Sequence, residues 1–140
     1  MVQRRVVTCF LRHGDRILVL RRSARVSTYQ GRWAGVSGSI EGGTSPREQA
    51  LRELQEETGL APHQVELLRE AEPLVVEDPQ AGVTWLVHPF LFAVQDPAKI
   101  RLDWEHTEAR WVEPDELERL ETVPKLKETW EQLWKRSPEG

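Results

Sequence analysis

Between Gly38 and Leu60 the chain reads GSIEGGTSPREQALRELQEETGL, and this stretch decides the fold. Ser45-Pro46-Arg47-Glu48 joins an N-cap serine, a proline at the first helical position and a glutamate three residues after the cap. That combination satisfies unpaired amide donors at a helix start. Good helix formers continue to Glu57, and Gly59 stands where a left-handed residue ends a helix. The spacing predicts a helix of about four turns. At roughly 100° per residue, Ala50, Leu51, Leu54 and Thr58 share one side, and Glu53, Glu56 and Glu57 crowd an adjacent one.

Upstream, Val6–Arg12 and Arg16–Leu20 flank the turn residues His13-Gly14-Asp15, which predicts a β-hairpin. Residues 22–32 read as a polar surface loop, and Trp33–Ile40 as a glycine-punctuated strand whose glycines imply close backbone approach. Downstream, strands are expected at Gln64–Leu68, Leu74–Glu77 and Val83–Val94, with a turn over residues 78–82. Ala109–Val112 is a short strand. Glu113-Pro114 opens a short helix to Leu120, and Pro124 opens a last helix with Leu126, Trp130, Leu133 and Trp134 in one stripe. Strands before and after one central helix, with a second helix at the end, predict an α/β/α sandwich in which a mixed sheet lies between helices.

The chain has 140 residues, 39% of them hydrophobic and 30% charged, which fits one globular domain over residues 1–140 and excludes a disordered polymer. Cys9 is the single cysteine, so no intramolecular disulfide can form. No signal core or spanning segment is read, and a cytoplasmic protein without membrane contact is expected. The net charge of −4 is unevenly distributed: residues 1–32 hold eight arginines against Asp15 alone, +7, which leaves −11 for the other 108 residues. This split suggests an anion-binding wall facing an acidic patch. Nucleic acid is not the expected partner, because the chain is acidic overall and its arginines are dispersed rather than gathered on one helix.

The acidic helix face carries the chemistry. Glu53 and Glu57 are four apart and Glu53 and Glu56 three apart, and like charges at these spacings repel by roughly 0.2–0.5 kcal/mol per pair even when exposed. Arg52 reaches Glu56 or Glu48 but cannot neutralise the group. Carboxylate oxygens suit Mg²⁺ and Mn²⁺, which keep several waters and bridge to phosphates. A solvated acidic face is the plain alternative.

Arg52-Glu53-Leu54-Gln55-Glu56-Glu57-Thr58-Gly59-Leu60 resembles the core signature of the Nudix hydrolases, with Gly38 fourteen residues before Arg52, where that family's box begins. The box covers residues 38–60. One position departs: Thr44 stands where the box usually carries a glutamate. Glu41, in the preceding loop, offers a substitute negative charge.

The resemblance implies cleavage of the pyrophosphate linkage of a nucleoside diphosphate joined to another group, of the ADP-ribose, dinucleoside polyphosphate, nucleoside triphosphate or nucleotide-sugar type. It also implies Mg²⁺ as cofactor, with Mn²⁺ able to replace it. Phosphoryl transfer needs charge stabilisation and an aligned water more than covalent chemistry. Glu53, Glu56, Glu57 and the Gly38 carbonyl are the implied metal ligands, and Arg52 is expected to orient a glutamate. The general base is expected to be Glu105, in the loop before a late strand, with Glu108 or a box carboxylate as alternatives. His106 reads as an incidental exposed residue.

Arg21 and Arg32 are candidate phosphate partners. Tyr29, Trp33, Trp85 and Trp104 are candidates to stack on a base, Trp33 being carried into the substrate site. The expected partner is a small nucleotide, and family resemblance adds a homodimer. The competing function is a catalytically weakened Nudix-fold nucleotide-binding module, which the change at Thr44 favours and the intact glutamates oppose.

Overall fold

The computed structural model describes residues 1–134; the last six residues of the expected domain lie outside the described residues. Eight strands form one sheet: β1 (Val2–His13), β2 (Arg16–Arg22), β3 (Trp33–Ala34), β4 (Val36–Ser39), β5 (Val65–Glu70), β6 (Leu74–Asp78), β7 (Val83–Val94) and β8 (His106–Val112). Among the described residues two α-helices join them, α1 (Pro46–Thr58) and α2 (Leu126–Leu133), with a 3₁₀ segment at Pro114–Arg119.

The two longest strands lie side by side at the centre. β1 and β7 pair in parallel from Val2↔Val83 to Arg12↔Ala93, while β5 and β6 lie antiparallel along the other edge of β7. The sheet is therefore mixed, as expected. The remaining edge of β1 is divided: Val6–Cys9 pair with β4, and Arg12 and His13 pair with β2. β2 also pairs with β8, from Ile17↔Val112 to Arg22↔His106. Two strands thus take turns on one edge, and the sheet parts between them.

Alternation along β1 assigns its two faces. Val7, Cys9 and Leu11 point to one core with Leu54 and Ala50 of α1; Phe10 points to the other, with Leu126, Trp130 and Leu133 of α2. The α/β/α layering follows. Trp130 and Phe10 meet edge to face, 5.4 Å between ring centres, and Trp134 stacks on Trp130 at 6.0 Å, so the expected tryptophan stripe is a packing feature.

Several expected elements shift. The first strand begins at Val2 rather than Val6, and the short helix expected after Glu113 is the 3₁₀ segment Pro114–Arg119. The segment expected as one strand over 33–40 is two short strands broken at Gly35, because Trp33 and Ala34 pair with β2 whereas Val36–Ser39 pair with β1. A Cβ at Gly35 would lie 2.8 Å from the Cys9 carbonyl oxygen, so the crossing requires glycine. The last helix starts at Leu126 rather than Pro124, after Lys125 in a left-handed conformation with φ 63°. The strand expected at Ala109 begins at His106. Among the described residues no helix is long and apolar enough to cross a membrane.

Candidate active site

Helix α1 is fixed at both ends by the residues that predicted it. Ser45 Oγ accepts the Glu48 amide at 3.1 Å, and Gly59, at φ 76°, donates its amide to the Gln55 carbonyl. Thr58 and Arg101 tie the helix end to the loop before β8, the Arg101 amide donating to the Thr58 carbonyl at 2.8 Å. Ala50, Leu54 and Thr58 are buried, and Glu57 is buried with them at 1% exposure. The acidic face is therefore not a uniform solvent face: Glu56 is exposed, Glu53 half-buried and Glu57 enclosed.

Gly38 and Glu53 fit together without spare room. A Cβ at Gly38 would overlap the Glu53 carboxyl group and lie 2.7 Å from its Cγ, which real Cβ contacts do not reach. Glu53 is held from the other side by Gln49, whose Nε2 donates to Oε2 at 2.7 Å; the Gln49 Oε1 accepts the Glu41 amide at 3.3 Å. Gln49 is fully buried and was missed in the sequence, where it reads as one more helix former. Its position one turn before Glu53 was the available signal.

Arg52 is not paired with Glu48, Glu53, Glu56 or Glu57. It pairs with Glu41 at 3.4 Å, so the expected orienting role falls to Gln49, and the loop acid balances the arginine rather than completing the acidic cluster.

The loop before β8 brings a second set of groups. The Ser23 amide donates to the Glu105 carbonyl at 2.7 Å, and the Glu105 amide donates to Asp103 Oδ1 at 3.1 Å. These bonds fix the backbone on either side of the Glu105 side chain. His106, expected to be exposed, is buried: as the first residue of β8 it pairs opposite Arg22 and turns inward toward Glu57.

Where β2 and β4 part, a cavity of ≈ 650 Å³ opens, lined by Gly38, Glu53, Glu105 and Arg22 at one end and by Arg4, Tyr29, Trp85, Val76 and Val83 among others. Its size is that of a small-molecule site. Arg22, missed in the sequence among eight similar arginines, has Nε 3.0 Å from the Thr28 carbonyl and Nη2 3.2 Å from its hydroxyl.

The other expected phosphate partners lie elsewhere. Arg21 is exposed and pairs with Glu108 at 3.7 Å, and Arg32 donates to the Thr122 carbonyl at 3.1 Å. Trp33 is a core residue, its ring under Arg110 at 4.7 Å. None of the three lines the cavity, because alternation along β2 turns Arg21 away from the face that Arg22 reaches. Glu108 pairs with Arg21 and Arg110, and Trp104 is an exposed ring beneath Arg25; neither lines the cavity.

Electrostatics separate the carboxyl groups. Burial, followed by a hydrogen bond to Glu53 and the charges of Glu105, Glu53 and Asp103, pushes the Glu57 carboxyl up to about 11. Burial also raises Glu53, with Glu56 and Glu41 adding to the effect. Glu105 is pushed up to about 7, again by burial first and then by Asp103. Burial and mutual charge thus oppose the joint ionisation of Glu57, Glu53 and Glu105, and Glu57 Oε2 has no hydrogen-bond partner.

A divalent cation fits this set, since it would ionise the acids, supply the orphaned oxygen with a partner and accept the Gly38 carbonyl. Among the described residues no three His, Cys, Asp or Glu side chains already converge on one point, so the fit rests on carboxylates together with a backbone oxygen and water.

A family model described as NUDIX domain matches residues 2–133. An octanoyltransferase of Myxococcus xanthus is 40% identical over 115 residues, covering 75% of this chain and 29% of that protein. The asymmetrical bis(5'-nucleosyl)-tetraphosphatase of Rattus norvegicus is 33% identical over 101 residues, covering 69% of this chain and 66% of that protein. The chain thus spans less than two thirds of either relative. Among solved structures, the MutT protein from Methanosarcina mazei Go1 superposes with TM-score 0.78 at 25% identity, over 93% of this chain and 91% of that one.

Proposed function

The chain belongs to the Nudix family, and on that premise we propose that it is a metal-dependent pyrophosphohydrolase, one domain over its whole length, that cleaves the pyrophosphate linkage of a nucleoside diphosphate joined to another group. The single observation that carries this reading is the enclosed Glu57, 1% exposed with an unpartnered carboxyl oxygen, set beside Glu53 and the Gly38 cradle. A group of acids this uncomfortable alone is understandable as one that works with a cation.

Gly38, through its carbonyl, and Glu53, Glu56 and Glu57 would hold Mg²⁺ or Mn²⁺. When bound, that ion supplies charge neutralisation for the transferring phosphoryl group and acidifies a bound water. The protein's own groups do the rest. Gln49 fixes Glu53, and Arg22 presents a guanidinium to phosphate oxygens from the other side of the cavity. Glu105, balanced near 7, takes a proton from the attacking water at neutral pH, where a general base works best. Arg52, paired with Glu41, anchors the loop that joins β4 to α1.

The relative named a bis(5'-nucleosyl)-tetraphosphatase favours dinucleoside polyphosphates for the first trial. ADP-ribose, nucleoside triphosphates and nucleotide sugars complete the panel. The test is phosphate or nucleotide release from these compounds with and without Mg²⁺ or Mn²⁺. Cation-dependent cleavage of at least one is the expected result. Tight nucleotide binding without turnover of any would replace the hydrolase with the binding module.

A further inference from the structure

The cavity has a second end that the proposed chemistry does not use. On β1, Val7 pairs with Gly38 and Arg4 pairs with Trp85; three residues of strand separate the acidic end from the aromatic one by about 10 Å. At that far end Trp85, Val76, Val83 and Tyr29 make a largely apolar and aromatic wall beside Arg4. It suits a flat heterocycle rather than a phosphate chain.

Tyr29 crosses this end. It belongs to the loop between β2 and β3, and its hydroxyl donates to Asp78 Oδ2, at the end of β6, 49 residues away. The same hydroxyl accepts Trp85 Nε1 at 3.1 Å. Asp78 Oδ1 accepts the Ala81 amide at 3.3 Å inside the turn between β6 and β7. One carboxylate therefore holds both its own turn and the loop opposite.

The charges agree with these roles. Asp78 is held below the usual carboxylate range, first by the Tyr29 hydroxyl, and burial keeps the Tyr29 hydroxyl protonated and available as donor. Tyr29 has a left-handed backbone, φ 51°, which a non-glycine residue adopts only where its surroundings hold it there. Its neighbour Thr28 receives both side-chain hydrogen bonds of Arg22. The loop thus joins the end of the cavity that holds Arg22 to the aromatic end.

We propose that the Tyr29–Asp78 hydrogen bond, buttressed by Trp85, is a strap that closes the far end of the cavity and sets its affinity for the nucleoside half of the substrate. Tyr29, Asp78 and Trp85 are then specificity-determining residues, and none of them takes part in the chemical step. The proposal rests on the nucleotide reading above.

The test is calorimetric titration of ADP in Mg²⁺ into wild type, Tyr29→Phe, Asp78→Ala, the double variant and Asp78→Asn, with thermal melting of each as a control and turnover measured separately. Tyr29→Phe keeps the ring and removes only the hydroxyl. It and Asp78→Ala should each weaken ADP about tenfold, the scale of one hydrogen bond to a charged group. The double variant should be no weaker than either single, because both cut one connection. Asp78→Asn keeps an acceptor and should stay within about twofold of wild type, and kcat should change less than KM in all of them. Unchanged ADP affinity in Tyr29→Phe, losses that multiply in the double variant, or no ADP binding by wild type would each overturn the strap. Strap-dependent ADP binding without turnover of any substrate would leave the strap standing and overturn the hydrolase reading. Turnover with unaltered ADP affinity would do the reverse.

Discussion

Glu57 and His106 face each other across the seam between α1 and β8: Oε1 and Nε2 are 3.7 Å apart, and each side chain is 1% exposed. Burial lowers the histidine and raises the acid, so enclosure works against an ion pair between them. His106 Nδ1 lies 3.6 Å from Asp103 Oδ1, and neither it nor Glu57 Oε2 has a hydrogen-bond partner. Unsatisfied polar atoms at one enclosed place carry a cost in the folded state.

That cost predicts a stability effect. The folded chain holds the Glu57 proton more tightly than the unfolded chain, so between pH 4.5 and about 11 it binds more protons and stability falls as pH rises. Glu57→Gln removes the ionisation while keeping the volume. In EDTA at pH 8 its melting temperature should exceed that of wild type by about 3 °C or more, roughly 1 kcal/mol for a chain of this size. Its activity should fall more than about 100-fold, beyond the 10–100-fold that outer-shell partners typically cost. A variant as active as wild type would remove Glu57 from the site.

Gly38→Ala separates activity from folding. The added methyl overlaps the Glu53 carboxyl group, the movable end of a side chain, so stability should stay within about 1 kcal/mol of wild type. Turnover should drop about 10–100-fold because the carboxylate is displaced. Steady-state kinetics beside a denaturation curve decides this. Equal turnover would show that Glu53 need not sit where it does.

Gln49→Leu keeps the core filled but releases Glu53 Oε2 and leaves the Glu41 amide without its 3.3 Å acceptor. The concentration of Mg²⁺ giving half-maximal activity should rise about tenfold, with a smaller effect at saturating Mg²⁺. An unchanged requirement would leave Gln49 a purely structural residue.

Glu105, near 7 through burial and the neighbouring Asp103, must be ionised to accept a proton. The rate should rise with pH to a midpoint at about 7 and then level off, and Glu105→Gln should lose that limb together with about 10²–10⁴-fold in rate. A persisting limb would assign the base to another group.

Much of this was legible in the sequence because local signals and tertiary packing agree. Ser45, Pro46 and Gly59 bound α1 as their chemistry dictates, and the alternation in Val83–Val94 marks the central strand. Glu53 stands out on the acidic helix face, the family resemblance adds Gly38 and Glu105, and the fold brings all three to one cavity. The errors came where burial depends on a distant partner. His106 reads as a polar loop residue until pairing with Arg22 turns it inward, and the helix face bearing Glu57 reads as evenly solvated until His106 meets Glu57 at 3.7 Å. Arg21 and Arg22 are adjacent and chemically alike; only the registry of β2 decides which reaches the cavity. Trp33 is drawn into the core by short pairing with β2, a contact its flanking glycines do not announce.

The most direct test of the account is a calorimetric titration of Mn²⁺ into the nucleotide-free protein, compared with Glu53→Gln and Glu57→Gln. Saturable binding by wild type, weakened at least about tenfold in each variant, is the expected result. Wild-type protein that binds no Mn²⁺, or binding equally tight in all three proteins, would contradict it.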